Sequence, residues 1–277
     1  MEILFIAVLI FTGLAVGVIS GLLGVGGAFI MVPVQYWILT SLGFDPTIAM
    51  RVSFGTSLAV ILPTALSGCY GHSCLGCVLW RPGLALGLSG LLGAFMGGSI
   101  AAHAPVELLK LIFGIIVLLG AFGMIFAEKI KPGEKSNDSL FFYIILGFMI
   151  GISSGVSGIG GGIILVPTMF GFMGFSILEA IGTSALVIAM NSIGGILSYA
   201  LNGLDVSGLP PYSIGYINLL IFALLAGTSV LAAQLGVRFA HKLPDEKLRI
   251  ILIALMIYIG LKMTGAFEWF GSFGWTN

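Results

Sequence analysis

Charge is what this chain has least of. Of its 277 residues 8% are Asp, Glu, Lys or Arg, against 58% hydrophobic, and mean hydropathy is +1.17. A soluble domain carries about 25% charged residues, so this chain cannot cover itself with polar side chains; its composition is that of an integral membrane protein. Eleven Lys and Arg balance eleven Asp and Glu, which leaves no basic field for nucleic acid. The opening MEILFIAVLI holds Glu2 but no Lys or Arg. A secretory signal peptide needs a positive n-region, so none is expected. Cysteine is scarce too: Cys69, Cys74 and Cys77 are an odd number within one short stretch, not a disulfide framework. A nucleophile–base pair, a carboxylate pair, a Walker loop and an HExxH motif are all missing, so neither an enzyme nor a cofactor is expected. Gly24-x-Gly26 and Gly158-x-Gly160 have the spacing of a dinucleotide fingerprint, but they lie in apolar helical runs rather than a βαβ unit.

Glycine, by contrast, is abundant, with 42 residues, and it is organised. GVISGLLGVGGAFIMVP at 17–33 returns as GISSGVSGIGGGIILVP at 151–167, and nine of seventeen positions agree. Most matches are small residues, so what repeats is a backbone shape rather than a hydrophobic pattern. Gly55-Thr56-Ser57 returns as Gly182-Thr183-Ser184, which continues the repeat.

A hydrocarbon core about 30 Å thick takes roughly 20 apolar helical residues. Ten apolar segments fit along the chain: about 2–20, 27–43, 47–70, 78–102, 106–128, 138–156, 161–175, 180–201, 212–239 and 245–266. The second and seventh are short for a full span and follow the glycine motifs, so the backbone is expected to break there. Irregular backbone at membrane depth must be buried in protein or line a wet cavity. The most polar connection, 128–138, divides the chain into a first membrane repeat (1–127), a polar linker expected on the cytoplasmic side, and a second repeat (139–277). Five segments per half bring the second half in from the opposite face. The expected fold is an all-α polytopic membrane protein of two inverted repeats, with Gly-broken helices near the midplane.

If segments alternate, one side collects Arg81, Lys129, Lys131, Lys135, Arg238, Lys242, Lys247 and Arg249, and the other Arg51, Lys110 and Lys262. The positive side is cytoplasmic, which predicts a multi-pass protein of the cell membrane with both termini outside. Elsewhere the runs Gly87, Gly90, Gly93, Gly97 and Gly147, Gly151, Gly155 read as close helix–helix packing.

A broken helix exposes unpaired N–H groups at the start of its second piece, and the helix dipole favours an anion there. Two such ends, entering from opposite faces, predict a site for a small anionic substrate built from Ser20, Gly24, Gly26, Gly27, Ser154, Gly158, Gly160 and Gly161. Unwound carbonyls could instead hold a cation. Thr56, Ser57, Ser157, Thr183 and Ser184 are candidate hydroxyl donors, although Ser and Thr in membrane helices often satisfy their own i−4 carbonyl. Asn191, aligned with Thr64, and Gln35 read either as ligand groups or as interhelical contacts. Arg51 is a pathway candidate that could draw anions to a portal, or a cation snorkelling at a helix end. Glu179 caps a helix or carries a coupling proton. His72 and Tyr199 align and are further pathway candidates. Cys69, His72, Cys74 and Cys77 could bind Zn tetrahedrally or act in redox chemistry, with simple reduced cysteines as the alternative.

The paired glycine motifs, the paired Gly-Thr-Ser, and Gly71-His72 followed by Leu75-Gly76-Cys77-Val78 resemble the TauE/SafE family of sulfite-exporter-like membrane proteins, over nearly the whole chain. The resemblance implies a secondary transporter moving sulfite, a sulfonate such as sulfoacetate, or another small organic anion, usually outward. Alternating access, coupling to a proton or sodium and a homodimer are compatible with it. The family often has a basic residue two positions after the His, where this chain has Cys74, and that departure points to a different substrate. The alternative is a membrane redox, sulfur-handling or metal-binding protein using the cysteine cluster.

Overall fold

The computed structural model describes residues 3–127, 139–240 and 245–265. The linker expected at 128–138, with Lys129, Lys131 and Lys135, lies outside them, as does Lys242; the side chains of Lys247 and Arg249 are likewise not described. The first half holds α1 (Ile3–Leu23), α2 (Ala28–Ser41), α3 (Pro46–Cys74), α4 (Trp80–His103) and α5 (Val106–Ala127). The second holds α6 (Leu140–Ser157), α7 (Gly162–Phe172), α8 (Ile177–Asn202), α9 (Leu219–Ala240) and α10 (Asp245–Met263). Among the described residues seven helices, α1, α3, α4, α5, α6, α8 and α9, are long and apolar enough to cross a membrane. This is an all-α polytopic membrane protein.

Local chemistry explains the helix starts. Pro46 opens α3, where its missing N–H costs nothing, and the Asp45 carboxylate accepts from Thr47 N (2.8 Å) and Ile48 N (3.2 Å). Those two backbone donors, Ile48 first, hold its carboxyl below the ordinary Asp value. Ser176 and Glu179 form a capping box on α8: Ser176 N donates to the Glu179 carboxylate at 2.8 Å, and Glu179 N donates back to Ser176 Oγ at 3.3 Å. Glu179 is thus a cap. The apolar stretch 212–239 departs from expectation. Its first residues are not helical: β1 (Ser213–Ile214) and β2 (Ile217–Asn218) pair as a tight antiparallel hairpin before α9 begins. Gly215 at its turn has φ +55°, a conformation that periodicity in an apolar run does not reveal.

The partners of each helix exchange when the two halves are swapped. α4 packs on α6 and α1 on α9; α3 packs on α8 and α5 on α10. The two glycine runs meet in the α4–α6 seam, where a Cβ on Gly151 would overlap the Gly90 carbonyl and one on Gly155 that of Ala94. The α1–α9 seam is built alike, with Gly17 against the Ser229 carbonyl and Gly21 against that of Ala233. Lipid gives helices no hydrophobic reason to associate, so close backbone packing holds these pairs. The two long helices α3 and α8 are left in the centre; 78% and 72% of their best membrane windows are buried, the highest shares of any span.

Candidate functional site

Each glycine motif ends one helix and starts another. Gly24 and Gly158 terminate α1 and α6 with φ +62° and +68°, and Gly27 and Gly161 stand as N-caps of α2 and α7 with φ +69° and +85°. The left-handed region costs a residue with a Cβ roughly 1–2 kcal/mol, which accounts for glycine recurring here. Neither N-cap brings a side-chain acceptor. Among the described residues the N–H groups of 27–29 and 161–163 meet no acceptor, while Gly27 O and Gly161 O already accept the next turn. Ala28, Phe29 and Ile163 are fully buried, so these donors have no bulk water. Buried N–H groups without partners are costly.

The two breaks touch. A Cβ on Gly26 would lie 3.3 Å from Ile159 O, and one on Gly162 would lie 2.7 Å from Gly24 O and 2.9 Å from Val25 Cα. Ile61 and Ile188, near the midpoints of α3 and α8, flank both: Gly26 and Gly160 each face the two isoleucines. Two breaks, each carrying a positive helix end, thus meet between the midpoints of α3 and α8.

The hydroxyls expected at the site divide by function. Ser184 Oγ reaches the first break, donating to Gly24 O (2.9 Å) and Ile181 O (2.8 Å). Ser154, one turn before Gly158, is fully buried and its Oγ has no hydrogen-bond partner. Ser20, its aligned partner, is also buried. Ser157 donates to Ser153 O at 2.7 Å, the ordinary i−4 bond. Ser57 receives Gln35 Nε2 at 2.8 Å. Thr56 and Thr183 face elsewhere. Thr56 Oγ1 accepts from Asn218 N, and Thr183 Oγ1 accepts from Leu79 N, both at 2.9 Å. Asn218 and Leu79 are the residues just before α9 and α4. Gly55 and Gly182 let the incoming strands approach, since a Cβ there would overlap Tyr216 O and Cys77 O. Each Gly-Thr-Ser therefore staples its own half to the start of a helix in the other half. The aligned spacing of the motifs could be seen in sequence; their partners could not.

His72 and Tyr199 form a second matched pair. His72 Nε2 lies 3.0 Å from Gly21 O, and Tyr199 Oη donates to Gly155 O at 2.9 Å. Gly21 and Gly155 are themselves aligned. A carbonyl only accepts, so in this contact His72 Nε2 is the donor. Both rings hold the last turn before a break. Arg51 sits at one end of the bundle, donating to Tyr216 Oη (3.2 Å) and Ala104 O (3.1 Å) with its guanidinium over the Tyr216 ring. Tyr216 packs edge-on to Tyr199 at 6.4 Å, which links Arg51 to the second break through two aromatic rings. The cysteines do not converge: Cys69 is buried beside Ala185 and Leu186, Cys74 is exposed, and His72 turns to α1. Among the described residues no three His, Cys, Asp or Glu are placed to hold a metal.

An all-helical membrane bundle with two discontinuous helices meeting at its centre is the architecture of a membrane transporter. The chain belongs to the sulfite exporter TauE/SafE family, whose description matches residues 9–263. It is 28% identical over 261 residues to a probable membrane transporter protein of Methanocaldococcus jannaschii, covering 94% of this chain and 96% of that one. To a probable membrane transporter protein of Haemophilus influenzae it is 30% identical, covering 94% and 98%. A third relative, the Bacillus subtilis probable membrane transporter protein YunE, is 24% identical over 92% of this chain and 96% of its own. No solved structure matches the chain. The protein is a membrane transporter of the TauE/SafE type.

Proposed function

We propose that this chain is a secondary transporter that exports a small anion, either sulfite, a sulfonate such as sulfoacetate, or another small organic anion. The substrate binds between the two glycine breaks. The repeats 1–127 and 139–277, inverted in the membrane, rock against each other to open the site alternately to each face. Both termini lie outside the cell membrane, with a proton or sodium as coupling ion.

The observation that carries this reading is the pair of uncapped helix starts at 27–29 and 161–163, buried at Ala28, Phe29 and Ile163 and belonging to two breaks that touch through Gly162 and Gly24. Two like dipole ends repel, and an anion between them relieves both the repulsion and the unmet donors. The family description, which names sulfite export, supports the substrate class and the direction. A thermal-shift screen of the purified protein against sulfite, sulfate, thiosulfate, sulfoacetate, taurine, carboxylates and divalent metals tests it. A ligand at 100 times its Kd adds about 2.7 kcal/mol of stability. Stabilisation by a sulfur oxyanion or sulfonate, followed by saturable counter-flow in proteoliposomes, is expected. Stabilisation by metals alone overturns the reading.

A further inference from the structure

The two breaks share one backbone design, so a ligand held by backbone alone has no reason to prefer either. Their side-chain surroundings differ. Thr64 and Asn191 occupy corresponding places on α3 and α8. Thr64 is satisfied: its hydroxyl donates to Val60 O (2.8 Å) and therefore accepts from Ser229 Oγ (2.7 Å). Asn191 is fully buried and is not satisfied. Its Nδ2 lies 3.5 Å from Gly160 O, the outer limit of a hydrogen bond. A Cβ on Gly161, the α7 N-cap, would lie 3.5 Å from the same nitrogen. The carboxamide thus stands at the start of α7. Turning it over would set two carbonyl oxygens against each other, which favours the orientation with Nδ2 toward Gly160 O. Its Oδ1 meets no donor among the described residues, and room for it exists because Gly90 has no side chain; a Cβ there would overlap Oδ1.

A buried carbonyl without a donor is costly, and the oxygens of an anion cannot relieve it, because they too are acceptors. An N–H or O–H can. We propose that the α7 break, rather than the α2 break, holds the substrate's anionic group. Asn191 then makes the site selective for a monoanion that carries its own N–H or O–H donor. This rests on the anion-transporter reading above and narrows it. The uncapped N–H groups of 161–163 and Asn191 Nδ2 take the anionic oxygens, while Oδ1 accepts the ligand's donor. A fully deprotonated dianion such as sulfate presents only acceptors to Oδ1 and is disfavoured. Among the described residues Gln35 is the other buried amide whose carbonyl lacks a partner, but it lies two turns beyond the start of α2 with Nε2 committed to Ser57. It does not give the α2 break an equivalent.

The test is calorimetric titration of the full-length purified protein with two isosteric monoanions, 2-hydroxyethanesulfonate and propane-1-sulfonate, which differ by a hydroxyl in place of a methyl. The wild type is expected to bind the hydroxy compound at least about tenfold tighter. Asn191→Leu is expected to bind both equally. Gly90→Ala, which displaces the amide without removing it, reduces the ratio as well and serves where Asn191→Leu does not fold. Thr64→Val, at the corresponding place on α3, keeps the wild-type ratio. A wild-type ratio of one overturns the proposal and leaves the anion reading standing. So does a preference that survives in both Asn191→Leu and Gly90→Ala, or one lost in Thr64→Val. If neither sulfonate nor sulfite binds the wild type, the anion reading fails and takes this proposal with it.

Discussion

The break between α1 and α2 and the break between α6 and α7 are the same object built twice, and their differences are informative. Both end a helix on a left-handed glycine and begin another on an uncapped one. Both have the turn before the break held by a ring, His72 in one half and Tyr199 in the other. What differs is the polar side chain beside the tip: Ser184 Oγ spends its proton on carbonyls at the first break, whereas Asn191 holds an unmet oxygen at the second. The matched features keep the backbone in place; the unmatched ones are where the proposed selectivity resides.

The largest expected effect comes from filling the tips. Gly160→Leu and Gly26→Leu, at φ +85° and +80°, force a side chain into left-handed backbone where the two breaks meet, and substrate binding should be lost in both. Affinity at the wild-type level in either, measured by titration, would sink the proposed site. The milder Gly26→Ala and Gly160→Ala sharpen the comparison: a greater loss at Gly160 supports unequal breaks.

Next come the staples. Thr56→Val and Thr183→Val remove the acceptor from the buried Asn218 N–H and the half-buried Leu79 N–H respectively, and each should lower stability by about 1 kcal/mol. The sites lie in different places, so the double variant should be near additive in thermal unfolding; a clear excess would show the two staples acting as one unit. Tyr199→Phe removes one hydrogen bond to Gly155 O and should also cost about 1 kcal/mol, with the ring's packing retained.

Smaller still is Asp45→Asn. The folded-state carboxyl is held below its ordinary value of 3.8, so the charged form contributes stability that is present above that value. Wild type should exceed Asp45→Asn slightly at neutral pH, and the difference should vanish as pH falls from 3.8 through the lower folded-state value. A difference that grows on acidification would contradict the sign. Smallest of all, Cys74→Ser at an exposed position should leave flux unchanged; lost flux would return the cysteine cluster to the discussion.

Much of this was legible in the chain itself. Low charge and ten apolar runs determine an all-α membrane protein, because a bilayer leaves backbone polar groups no partner outside the helix. The repeated GVISGLLGVGG and GISSGVSGIGG determine where two helices break, because only glycine takes left-handed backbone at little cost. Glu179 three residues after Ser176 is a cap that local spacing shows. The tertiary structure decided the rest. That the two breaks touch, that Thr56 and Thr183 reach Asn218 and Leu79, and that Asn191 is unmet while Thr64 is satisfied all depend on partners more than 30 residues away or on another helix. The hairpin at 213–218 was hidden in an apolar run because its turn rests on one positive φ and on docking against α3. Sequence periodicity records which face of a helix is apolar, but hydrogen bonds between distant residues leave no period to read.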